Sequence, residues 1–300
     1  MTSRTLTIFT PAYNRAHTIG RTYASLCRQT CKDFEWLIID DGSTDNIRNL
    51  VEGWMAEEKI PIRYIYQENQ GMHGAHNAAY ANIDTELNTC IDSDDWMPDD
   101  AVEKIVFFWR KHGSDKVAGI IGLDVVEDGR LIGSPFPEGM SHTTLTDFYR
   151  NGGKGDKKLV YRTDVVRNYP PYPIFEGEKY VGLSYLYMLI DQDYELLTIN
   201  EPLVIVDYQQ DGSSYNMFRQ YWNNPQGFSF FRLQCMPYAK GFKEKVRTCI
   251  HYVSTSIMLK DTDFLKKTPL KMYTILAIAP GVLLYLYIKH NVAKGKKLNM

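Results

Sequence analysis

Apolar runs of strand length alternate with stretches of helical spacing through about the first 125 residues, and this alternation limits the fold more than any other feature. The predicted strands are Leu6–Thr10, Phe34–Asp40, Ile62–Tyr66, Leu87–Ile91 and Val117–Val126. Helical spacing fills the gaps: Ala16–Gln29, a helix capped by Ser43 or Asp45 and running to Glu57, Gly71–Asn82, and Pro98–Lys111. Strands joined by helices imply βα units and an α/β, mostly parallel, doubly wound sheet. Ligands of such sheets bind beyond the carboxyl ends of the strands. Polar clusters stand at four of these ends: Pro11–Arg15, Asp40-Asp41, Asn69–His73 and Asp92–Asp95.

The remaining chain is less regular. Residues 129–172 read as loops and short strands, Phe175–Ile190 as a Gly-Glu-Lys cluster leading into a helix, Glu201–Tyr208 as a strand, and Asn216–Lys260 as helical. The expected division is an α/β domain over 1–215, with a first half over 1–125 and a second over 126–215. A helical region follows over 216–300. At 300 residues with a net charge of −2, nothing points to nucleic acid. The five cysteines form no CxxC pair, so inert thiols in a reducing cytosol are expected. The N-terminus enters a strand pattern without an apolar leader, so no secretory signal is expected.

Asp92-Ser93-Asp94-Asp95 carries the strongest chemical signal. Like charges at i and i+2 after a buried strand raise each other's pKa, and a hard divalent cation between them removes the repulsion and bridges to phosphate oxygens. The alternative is an N-cap for the next helix. Asp40-Asp41-Gly42-Ser43-Thr44-Asp45 reads equally as a carboxylate for ribose or base, or as a capping turn. No GxGxxG follows the first strand, against a dinucleotide oxidoreductase. PAYNRAHTIG also lacks the basic, Gly-rich phosphate loop of a nucleotidyltransferase.

Together, Thr10-Pro-Ala-Tyr-Asn14, DDGSTD, Asn69-Gln-Gly71 with Gly74-Ala-His-Asn77, and Ile91-Asp-Ser-Asp-Asp95 resemble the family 2 inverting glycosyltransferases over about residues 4–125. The resemblance implies a GT-A-type fold and a nucleotide-sugar donor, most commonly a UDP-sugar. It implies that Pro11, Ala12, Tyr13 and Asn14 line the nucleotide pocket, that Asp41 binds base or ribose, and that Asp92 and Ser93 lie near ribose and metal. Asp94, with Asp92, would hold Mn²⁺ or Mg²⁺. His76 stands where many relatives have Arg before Asn77, and Met72 where Lys often follows Gly71; His73 would supply part of that polar function. Downstream, Phe175-Glu-Gly-Glu-Lys-Tyr180 resembles a bacterial subset in which Glu178 aligns with the general base, with Glu176 and then Asp191 as alternatives. The resemblance implies synthesis of surface polysaccharide on a glycan or lipid-linked acceptor. A binding module that has lost catalysis is the reading from another class.

The tail adds a separate signal. From Phe264 to Met300 there are seven Lys and no Asp or Glu. Within it, Met272–Ile288 is uncharged and interrupted by Pro280-Gly281; as one helix it would reach ~25 Å against a bilayer core of ~30 Å. Lysines on both sides favour a re-entrant or interfacial segment on the inner face of the cytoplasmic membrane. A buried terminal helix, a homo-oligomer contact and a true span are the alternatives.

Overall fold

A computed structural model describes residues 4–207 and 217–295. The expected Asp211-Gly-Ser-Ser214 turn and the lysines at 296 and 297 lie outside the described residues. The chain forms two compact units, Met1–Pro171 with Leu186–Asp207, and Tyr172–Tyr185 with Tyr208–Met300.

Unit 1 is built on an eight-stranded mixed sheet of order β3-β2-β1-β4-β7-β5-β8-β6. Its strands are β1 (Leu6–Ala12), β2 (Phe34–Asp40), β3 (Ile62–Tyr66), β4 (Leu87–Cys90), β5 (Val117–Val125), β6 (His142–Thr143), β7 (Lys157–Arg162) and β8 (Glu195–Ile205). Between them run α1 (Ile19–Arg28), α2 (Ile47–Glu57), α3 (Met72–Asn82), α4 (Ala101–His112), α5 (Leu145–Arg150), α6 (Thr163–Arg167) and α7 (Ser184–Ile190). β1 through β4 are parallel, as the alternation requires, and every residue of β1 is buried. Continuous burial is what a strand covered on both faces needs. On one face Tyr23 of α1 stacks on Trp54 of α2 at 4.3 Å, and Trp54 on Trp36 of β2 at 5.9 Å, so three large rings fill the helix–sheet layer.

Three expected helix starts move, α1 from Ala16 to Ile19 among them. α2 begins at Ile47: Ser43 Oγ accepts from Asn14 N–H at 2.9 Å and Asp45 Oδ2 from Ala16 N–H at 2.8 Å, while Asp45 Oδ1 accepts from the Ile47 amide at 3.3 Å. α4 begins at Ala101, since the carbonyl of Pro98 closes a turn with the amide of Ala101. Within residues 129–172, β7 is the substantial addition. It runs antiparallel between β4 and β5, pairing Thr89 with Val160 and Gly122 with Lys158.

Unit 2 is helical, with α8 (Met217–Asn223), α9 (Pro225–Cys235), α10 (Gly241–Met258), α11 (Phe264–Lys267), α12 (Lys271–Leu276) and α13 (Ile278–Ala293). Met236, Cys249, Tyr252, Val253 and Ala277 form its core. The uncharged tail segment divides at Ala277, not at Pro280-Gly281. Pro280 falls in the first turn of α13, where an amide has no partner to lose. No helix among the described residues is long and apolar enough to cross a membrane.

Candidate active site

Parallel β1, β2, β3 and β4 deliver their polar ends to one edge of unit 1. Pro11 and Ala12 are the buried last residues of β1, in register with Ile39 and Asp40; Tyr13, half exposed, is the first side chain to leave the sheet. Asn14 adopts φ 55°, a left-handed conformation that Asn tolerates better than most residues. From there its Oδ1 accepts from the amides of Thr44 at 2.8 Å and Asp45 at 3.3 Å, locking the loop after β1 to the loop after β2.

Asp41 is buried and organises the next loop. Its Oδ1 accepts from Gln67 Nε2 at 2.7 Å and the Gln70 amide at 2.8 Å, and its Oδ2 from the Gly71 amide at 2.8 Å. The last two amides lead into α3, so the carboxylate sits at the positive end of that helix. Gly42 makes this loop possible: at φ 83° a Cβ there would lie 2.8 Å from the Asn69 nitrogen. Next to it, Asp40 accepts from the Ser43 amide at 2.8 Å and from the Tyr64 hydroxyl.

His73 and Asn77 lie one turn apart on α3, His73 fully buried and Asn77 half-buried. His76 is also buried, with Nδ1 3.2 Å from the Tyr80 hydroxyl and its ring edge-on to Phe9 at 5.0 Å. Burial, Lys158 and His73 together push its pKa down to about 3. It is therefore neutral at physiological pH and brings no charge to the place where many relatives carry Arg.

The acidic segment after β4 is held from several sides. Trp96 and Ile205 exchange backbone hydrogen bonds of 3.1 and 2.7 Å, and the Asp207 amide donates to Asp95 Oδ1 at 3.1 Å. Asp92 is exposed, Asp94 half-buried, and Ser93 and Asp95 buried. Burial and the charge of Asp92 raise the pKa of Asp94, while Arg15 opposes the rise. The same two causes push Asp95 up to about 8. The segment is thus short of positive charge, which is the condition a divalent cation corrects. Among the described residues no three His, Cys, Asp or Glu side chains converge on one metal position. The donor set fits an ion held by one or two carboxylates and completed by phosphate oxygens, not a closed protein cage.

Four further residues belong to this edge, of which the sequence had pointed to Arg15 within the Pro11–Arg15 cluster. Lys158 of β7 reaches across to donate to the Cys90 carbonyl at 2.8 Å. Burial alone would lower its pKa, but Asp124, Cys90, Asp92 and Asp95 outweigh that and raise it. Asp124, buried near the end of β5, is pushed up to about 6 by burial, with Lys158 opposing. Asp207, two residues beyond β8, pairs with Arg21 at 2.7 Å. Arg15 closes the TPAYN segment. Among the other three, the lone Asp within the apolar GIIGLDVV run was the one plain signal.

The edge that gathers Tyr13, Asn14, Asp41 and the Asp92–Asp95 segment lies within the part of the chain that matches a family model. Residues 7–166 match the profile described as Glycosyl transferase family 2. The chain belongs to that family. An uncharacterized glycosyltransferase of Nostoc sp. is 36% identical over 116 residues, 38% of this chain and 35% of that one. The chondroitin synthase of Escherichia coli is 32% identical over 131 residues, 44% of this chain and 19% of that one. The chain thus spans well under half the length of these relatives. Among solved structures, S. aureus TarS 1-349 in complex with UDP-GlcNAc covers 97% of this chain, and 92% of that chain is covered, with TM-score 0.63 at 17% identity. The mannosyltransferase PcManGT of Pyrobaculum calidifontis, in complex with GDP-Man and Mn²⁺, matches with TM-score 0.55 at 15% identity, over 95% of this chain and 88% of that one. Family 2 membership and this likeness agree on a GT-A-type fold.

The candidate base lies in the other unit. Glu178 is buried; its Oε1 accepts from the Gln226 amide and its Oε2 from the Gly227 amide, both at 2.8 Å. These are the first free amides of α9 after Pro225, so the carboxylate caps that helix. Glu176 is exposed. Asp191 accepts from the Thr146 amide at 2.8 Å and caps α5 in unit 1.

Proposed function

We propose that this family 2 member is a metal-dependent inverting glycosyltransferase that moves a sugar from a nucleoside diphosphate, UDP by preference, to a hydroxyl of a glycan or lipid-linked acceptor. The observation that carries the reading is the Asp92–Asp95 segment, a set of charge-deficient carboxylates beside loops already fixed by Asn14 and Asp41. The nucleotide complexes of TarS and PcManGT support a nucleotide-sugar donor, and the Mn²⁺ of PcManGT supports a divalent ion. The similarity to a chondroitin synthase of Escherichia coli supports a role in polysaccharide synthesis.

In this reading Tyr13 stacks on the base, Asn14 keeps the pocket wall in place, and Asp41 holds the loop that meets base and ribose. Pro11 and Ala12 form the floor. His73 and Asn77 line the far side from α3, and Asp92 and Ser93 meet the ribose. Asp94, with Asp92, would hold Mn²⁺ or Mg²⁺, which would supply Lewis-acid stabilisation of the departing diphosphate. Glu178 removes the proton of the acceptor hydroxyl as it attacks C1 from the opposite face, inverting the anomeric centre in one displacement.

The test is a panel of nucleotide sugars assayed with and without Mn²⁺. Donor turnover that depends on the ion, falls by about 10²-fold or more in Asp94→Ala, and gives product of inverted configuration is the expected result. Wild-type turnover in Asp94→Ala removes it as a ligand, and retained configuration overturns the single displacement.

A further inference from the structure

The last two helices of unit 2 turn the usual pattern of a surface helix inside out. Small or polar residues make up most of the inward side: Thr274, Ala277 and Asn291 are buried beside Ile288, and Gly281 packs so closely on α10 that a Cβ would lie 2.6 Å from the Val253 side chain. Large apolar residues face outward. Met272, Ile275, Leu276, Leu283, Leu286 and Tyr287 are between 51% and 68% exposed. Their spacing of three and four residues places them along one face that continues across the break at Ala277. Phe242, at the start of α10, is 66% exposed and lies 5.9 Å from Tyr273, widening the same apolar surface.

The segment that carries this face has an excess of positive charge. Lys266 and Lys267 are met by Asp263 at 2.8 Å and Asp261 at 2.7 Å. Beyond them, Lys271, Lys289 and Lys294 share the segment with no acidic residue. A second copy of the chain docked two-fold on this face would bring lysine against lysine with no carboxylate between. A contiguous apolar ridge rimmed by cations instead matches the headgroup region of an anionic bilayer, which accepts the apolar side chains and neutralises the lysines. Spanning is excluded by reach, since the 16 residues of α13 cover ~24 Å against a hydrocarbon core of ~30 Å.

We propose that the outward face of α12 and α13 seats unit 2 on anionic lipid, with both helices lying in the plane of the interface. The inference stands on this surface alone and does not depend on the reaction proposed above. It is tested by co-sedimenting the full chain with vesicles of phosphatidylcholine alone and of phosphatidylcholine with phosphatidylglycerol. The expected result is binding to the anionic vesicles, weakened about tenfold or more by high salt. Leu283→Ser with Leu286→Ser, and separately Lys289→Glu with Lys294→Glu, each weaken it by about tenfold or more with unchanged melting temperature. Full binding by the leucine pair overturns the proposal. So does equal affinity for the uncharged vesicles, or wild-type protein that stays in the supernatant with both. A wild-type dimer that Leu283→Ser dissociates, without vesicle binding, assigns the face to a second copy and also overturns it.

Discussion

His76 shows how one residue sets a pH dependence in a place the chemistry does not need. With a folded pKa near 3, it binds its proton far less readily than the same imidazole in the unfolded chain, whose ordinary value is about 6.5. The sign follows: the contribution is fully present above pH ~6.5 and is lost as pH falls toward ~3, by at most about tenfold in the folding equilibrium per pH unit. Replacing it with a residue that does not titrate removes that slope. Urea melts of the wild type and His76→Gln at several pH values between 7 and 4 are expected to converge as pH falls, the variant being the less sensitive. Parallel slopes would show that burial of this ring is not what sensitises the fold to acid.

At the scale of elements, Glu178 joins unit 2's own segment 172–185 to the start of α9, and the two tasks given to its carboxylate make different predictions. As a cap, Glu178→Gln loses the charge that suits the helix N-terminus and lowers stability by about 1 kcal/mol with turnover of the folded protein intact. As the base, the same change lowers turnover by about 10²-fold or more while nucleotide binding holds. Thermal melts beside initial rates separate the two, and wild-type rates would leave only the cap. The sequence pointed to Glu178 by motif, but its hydrogen bonds to Gln226 and Gly227 span 48 and 49 residues and leave no local trace. β1 to β4 were legible because their apolar runs carry period and composition together. β7 was not, since Lys157, Lys158 and Arg162 surround only a Leu-Val-Tyr core, and antiparallel insertion between β4 and β5 depends on partners 34 or more residues away. The same distance hid Lys158 from the acidic segment. Position left the Asp40-Asp41 cluster equally a ligand carboxylate or a capping turn, and the family resemblance gave Asp41 its role; its three donors from Gln67, Gln70 and Gly71 emerge only when the loop is folded.

For the whole molecule, the decisive feature is that unit 1 is not continuous in sequence. The chain leaves it after Pro171 and returns at Leu186 to lay down β8, whose pairing with β5 runs from Val117 with Glu195 to Val125 with Ile205. A chain ending at Asp207 retains all eight strands, while one ending at Pro171 lacks β8 and leaves one edge of β5 open. The shorter chain is expected to aggregate and to lack near-ultraviolet circular dichroism, the longer to keep a sheet spectrum in solution. Equal solubility and equal spectra for the two would mean that β8 is dispensable. The same arrangement governs how the protein is born. On the ribosome β5 emerges roughly 80 residues before the strand that covers it, so at about 5–20 residues per second its apolar backbone edge waits for several seconds in the nascent chain. Protection by a holding factor during that interval, more than the stability of the finished sheet, then decides how much of the newly made polypeptide survives.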